Sequence, residues 1–111
     1  MADEKEKILL YDAIDSSILK SIPNPSKEPY EIKVKVPEFT FLGVNEQPDF
    51  GVLYITIYPT KKIIELKSLK LYIVTFRDKG AFHEAITNQI LNDLVTLIKP
   101  KFMRLTSRFY V

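Results

Sequence analysis

The sequence predicts an α+β fold, two helices layered over an antiparallel sheet. Three observations carry that class. Two segments alternate apolar and polar residues with period two, two later segments repeat at the helical period, and the last ten residues alternate again. The order is strand, strand, helix, helix, strand.

Residues 1–29 are the least regular. "ILLYDAIDSSILKSI" (8–22) suits a short amphipathic turn or helix, and "PNPSKEP" (23–29) is a proline-punctuated linker. These residues are expected to form an extension, leaving 30–111 as the folded domain. In "YEIKVKV" (30–36), Tyr30, Ile32, Val34 and Val36 alternate with Glu31, Lys33 and Lys35. That is the pattern of a half-buried strand. "GVLYITIYP" (51–59) is β-branched and aromatic, and Pro59 ends it. The two strands flank a long connection, "FLGVNEQPDFG" (41–51), with Asn45, Glu46, Gln47 and Asp49 crowded between two glycines.

Beyond "KKIIEL" the period changes. Leu69, Tyr72, Ile73 and Phe76 fall at i, i+3, i+4 and i+7, with Ser68 as the expected N-cap. "RDKG" breaks this helix, Gly80 supplying the left-handed residue. A second helix is expected from about Ala81 to Ile98, its buried face made by Phe82, Ile86, Ile90, Leu94 and Leu97 or Ile98. Pro100 stops it. The final strand puts Met103, Leu105, Phe109 and Val111 on one side. It has no partner after it, and exposed edges invite pairing. Either the chain associates with copies of itself, or the natural polypeptide continues past Val111.

At 111 residues there is room for one domain and one modest core. No apolar run approaches the ~20 residues needed to cross a bilayer. "MADEKEK" lacks the order of a secretory signal, so the cytoplasm is the expected location and no membrane partner is implied. Residues 1–60 carry six Lys/Arg against ten Asp/Glu (−4), and 61–111 carry ten against four (+6). An anionic ligand would prefer the second half. No basic stripe interleaved with aromatics suggests direct nucleic-acid binding. With no cysteine, disulfides, thiolate metal sites and thiol nucleophiles are excluded, and one histidine makes a metal centre unexpected.

Few residues remain that could carry chemistry. His83 and Glu84 open the second helix, where free N–H groups favour an acceptor or an anion and where imidazole can move protons. The alternative is a polar first turn facing water. "ELKSLKLY" (65–72) places Ser68, Lys67 and Lys70 at a strand-to-helix junction suited to an anion. Asp49, after Pro48, suits a turn.

Taken together, "QPDF", "ELKSLKLY" and "FHE", in that order, resemble the single-domain NADPH-dependent nitrile reductases of queuosine biosynthesis, the QueF family. Those enzymes convert 7-cyano-7-deazaguanine to its aminomethyl form during tRNA modification. The resemblance runs from "PEFT" at Pro37 to Val111. It implies the tunnelling (T-) fold, in which subunits join edge to edge into a barrel with sites between subunits, and hence a homo-oligomer. It implies NADPH as cofactor and a small deazapurine as substrate. Glu84 would anchor the base, with Ser68 and Leu69 lining its pocket. Glu65, Lys67, Ser68 and Lys70 belong to the signature tied to NADPH. Asp49 would be the proton donor, assisted by His83.

The same resemblance exposes a departure. The family's nucleophilic cysteine, which forms a covalent thioimide with the nitrile, falls at Leu42 or Gly43, and neither is a nucleophile. Thr40, Asn45 and Glu46 lie nearby without being obvious substitutes. The family also continues with an Arg-Gly-Gly turn and a further strand. Three functions stay open: a family reductase, a purine-binding relative without catalysis, and another T-fold activity such as amidino transfer or pterin chemistry.

Overall fold

The computed structural model describes residues 15–42, 48–77 and 82–110. The elements are a 3-10 turn (Ser16–Ile18), β1 (Ser21–Pro23), β2 (Ile32–Leu42), β3 (Pro48–Tyr58), β4 (Lys62–Ile64), α1 (Leu66–Val74), α2 (His83–Ile98) and β5 (Phe102–Phe109). Strands β2, β3 and β5 form one antiparallel sheet with β3 central; β1 and β4 form a separate antiparallel pair. Both helices cover one face of the large sheet. Leu53, Ile55 and Ile57 of β3 meet Leu69, Tyr72, Ile73, Ile86, Ile90, Leu94 and Ile98 in a single core.

The helical stripe Leu69, Tyr72, Ile73 and Phe76 is buried as its spacing requires. In α2 the stripe is Ile86, Ile90, Leu94 and Ile98, with Leu97 only half-buried. Phe82 does not join it. It occupies the N-cap in an extended conformation (φ −69°, ψ 147°), outside the helical phase, and is 66% exposed. Lys99 ends the helix at φ 45°, left-handed, one residue before Pro100. Gly80, Ala81 and Val111 lie outside the described residues.

The expected connection between the first two strands is mostly strand. β2 continues past Pro37 to Leu42, and β3 begins at Pro48 rather than Gly51. The period-two reading stopped at Val36 because the register shifts between Val36 and Phe39. There Val36 pairs with Leu53 and Phe39 with Gly51, so one extra residue is accommodated as a bulge. Inward positions change from even numbers (Ile32, Val34, Val36) to odd ones (Phe39, Phe41). Pro37 is tolerated because β2 is an edge strand and the bulge needs no ladder donor there.

Residues 15–29 are not a detached linker. Ser21–Pro23 pairs with Lys62–Ile64, Leu19 is 7% exposed within the core, and Lys20 N–H donates to Ser68 Oγ at 2.9 Å. Asn24 ties the "PNPSKEP" stretch down: its Nδ2 donates to Thr60 O (2.8 Å), and its Oδ1 accepts from Tyr30 Oη (2.7 Å). Prolines forbade helix here, but a three-residue strand and side-chain bonds remained available. Residues 1–14 lie outside the described part.

Candidate functional site

Asp49 sits in β3, opposite Phe41, and is not a turn residue. Its register places it in line with Gly51, Leu53, Ile55 and Ile57, so a carboxylate stands on the helix-covered side of the sheet at the strand's first turn of the pleat. His83, the first residue of α2, meets it there: Nε2 lies 3.3 Å from Asp49 Oδ2, with the side chains 38% and 34% exposed. Two aromatic rings hold the imidazole edge-on, Phe41 at 5.0 Å and Phe109 at 4.2 Å between centroids. Gly51 makes room for one of them. A Cβ there would come within 2.9 Å of both Phe109 Cδ1 and Arg108 O.

An open groove of about 620 Å³ begins at His83, lined by His83, Glu84, Thr87, Asn88, Ser107 and Phe109. Glu84 is exposed in the first turn of α2, where its charge is favoured by the helix dipole. Thr87 Oγ1 donates to His83 O at 2.8 Å and lies 2.6 Å from Ser107 Oγ. The sequence reading missed Thr87, Asn88 and Ser107, though signals existed. Thr87 and Asn88 follow Glu84 at i+3 and i+4 on one helical face. Ser107 is a polar residue at an inward position of β5, where Met103, Leu105 and Phe109 are apolar.

The second set of expected site residues lies around the start of α1. Glu65, not Ser68, is the N-cap: its Oε2 accepts the Ser68 N–H at 2.8 Å. Ser68 falls at the third helical position, 4% exposed, its hydroxyl donating to Glu65 O (2.7 Å). Leu69 is 1% exposed, in the core, whereas Lys67 and Lys70 are exposed. Leu69 and Lys70 border a different groove, between α1 and the Val34–Glu38 edge of β2. The single chain therefore joins Asp49, His83 and Glu84, and keeps the α1 residues on another surface. Leu42, one of the two positions for the missing thiol, ends β2 opposite Pro48 and is half-buried. Gly43, Asn45, Glu46 and Gln47 lie outside the described residues. No group of three or more His, Asp or Glu side chains gathers as a metal site among the described residues.

A family model described as QueF-like protein matches residues 48–111, more than half of the chain. A protein of Methylobacillus flagellatus named NADPH-dependent 7-cyano-7-deazaguanine reductase is 55% identical over 98 residues, covering 86% of this chain and 70% of that one. The chain belongs to the QueF family. Another QueF relative, a reductase of the same name from Nitrosospira multiformis, is 53% identical over 95 residues (84% of this chain, 68% of the relative). Among solved structures, the apo crystal structure of the archaeosine synthase QueF-Like superposes with a TM-score of 0.71 at 15% identity, covering 77% of this chain and 85% of that one. The α+β architecture is thus the T-fold of the QueF proteins, as the resemblance implied. Within the matched segment lie Asp49, the whole "ELKSLKLY" stretch and the His83–Glu84 pair.

Proposed function

We propose that this chain binds 7-cyano-7-deazaguanine in the His83–Glu84 groove and reduces its nitrile to the primary amine with NADPH, in the cytoplasmic route to queuosine. The observation that carries the reading is the Asp49–His83 contact at 3.3 Å beside Glu84, inside a family whose named relatives are such reductases. Reduction of a nitrile to an amine adds two hydrides and two protons. Bound NADPH supplies hydride; the chain must supply acid at the nitrile nitrogen. Asp49 is the group for that task, and His83 Nε2, in direct contact, replaces the proton it gives. Phe41 and Phe109 fix the imidazole plane, so the pair is held before substrate arrives. Glu84 accepts the N–H donors of the base.

The residues at α1 fit NADPH through their charge. Lys67 and Lys70 are exposed and suit its phosphates. The Ser68 N–H at the helix N-terminus is already taken by Glu65, so anion recognition falls on the lysines rather than on that N–H. Leu69 lines the groove beside Lys70, and Ser68 is held behind it by Glu65 and Lys20. Because the α1 surface and the Asp49–His83 groove are separate on one chain, the complete site is assembled between subunits of a homo-oligomer.

A second reading rests on one fact: the sequence has no cysteine. A thioimide cannot form, which favours a purine-binding relative without turnover. NADPH absorbance after mixing protein, cofactor and 7-cyano-7-deazaguanine separates the two. Substrate-dependent oxidation supports direct reduction served by Asp49. A flat trace from folded protein that still binds the base supports the binding module and overturns the reductase.

A further inference from the structure

Thr87 and Ser107 have no part in the chemistry above, yet they line the same groove, and their protons can be counted. A threonine hydroxyl has one hydrogen, and Thr87 spends it on His83 O at 2.8 Å. With the Thr87 proton on His83 O, the 2.6 Å contact between the two hydroxyls is donated by Ser107. That leaves the half-buried Ser107 Oγ with no proton to offer and lone pairs free to accept. Glu84 is one helical turn from Thr87 on the same face, so the Ser107 oxygen, beside Thr87, and the Glu84 carboxylate both line this groove as acceptors.

The geometry points to Ser107 as a specificity-determining residue: it accepts an N–H from the exocyclic 2-amino group of the base. This rests on the proposed binding of 7-cyano-7-deazaguanine. A carboxylate has two oxygens and takes the ring N–H together with one amino N–H, leaving the second amino N–H without a partner. Ser107 Oγ is the acceptor one turn further along the wall. The Thr87 bond to the His83 carbonyl makes the arrangement rigid, because rotating Ser107 to donate elsewhere would break the bond to Thr87. A hypoxanthine-type edge, which lacks the amino group, would leave Ser107 unpaired and be disfavoured.

Calorimetric titration of the full chain with 7-cyano-7-deazaguanine and with 7-cyano-7-deazahypoxanthine tests this. Ser107→Ala is expected to weaken binding of the amino-bearing base about tenfold and to leave the analogue's binding no weaker, or tighter, because its unpaired acceptor is gone. Ser107→Thr, which keeps the hydroxyl, should retain the preference. Ser107→Cys, a near-isostere with a weak acceptor, serves as the loss variant if alanine perturbs folding. Equal affinity of wild type and Ser107→Ala for the amino-bearing base, or equal losses on both ligands, would overturn the assignment to Ser107. Wild-type protein that binds neither ligand would instead overturn the proposed substrate, and this inference with it.

Discussion

In the proposed binding mode, Glu84→Ala removes the acceptor for the base and leaves its N–H donors unpaired, at a cost of about 2–4 kcal/mol. Titration with 7-cyano-7-deazaguanine should show affinity lost and the melting temperature unchanged, since Glu84 is exposed. Gly51→Ala acts from behind. The new methyl meets a backbone oxygen and the Phe109 ring, so the ring must leave the position from which it holds His83. A loss of about 1–3 kcal/mol in urea denaturation is expected, with a displaced His83 ring visible as changed imidazole chemical shifts by NMR. The sequence disclosed Asp49, His83 and Glu84 as polar residues in telling company. It could not disclose that the first two touch, because 34 positions separate them and only the β3 register and the start of α2 bring them together.

At the scale of elements, the helix layer is tied by a polar bond inside an apolar core. Tyr72 is fully buried on α1 and donates to Asp93 of α2. Burial, and then the bond to Asp93, hold its phenol neutral far above the ordinary tyrosine range. The unfolded chain ionises at that position as pH rises through about 10, while the folded chain does not. Stability is thus fully present below about pH 10 and falls above it by about 1.4 kcal/mol per pH unit from this group. Tyr72→Phe should lower stability at neutral pH by about 1–2 kcal/mol and make the alkaline loss shallower in urea melts run across that window. The N-terminal segment makes a second test. Leu19→Ala should cost about 2–4 kcal/mol by the same melts, a core-sized penalty for a residue that sequence pattern placed outside the domain. Helices were legible because their stripes are long. β1 and β4, three residues each, are too short for any period to register.

At the scale of the whole molecule, one face of the large sheet has no layer over it among the described residues. Tyr54, Tyr58 and Phe102 stand 36–40% exposed there, and β2 and β5 are its outer strands. Light scattering coupled to size exclusion should return a multiple of 12.9 kDa; a monomer would overturn the proposal of a site between subunits. The fold class could be read from alternation and helical spacing alone, but assembly could only be suspected from an uncovered edge. The bulge in β2 carries one last consequence. Between the rungs Val36–Leu53 and Phe39–Gly51, the strand holds two residues where its partner holds one, so the ladder has a spare. A chain one residue shorter at this point would straighten β2 yet leave Phe39 and Phe41 facing inward. Length variation at Pro37–Glu38 therefore alters curvature and spares the aromatic packing behind His83, whereas an odd change of length between two regular rungs would invert it.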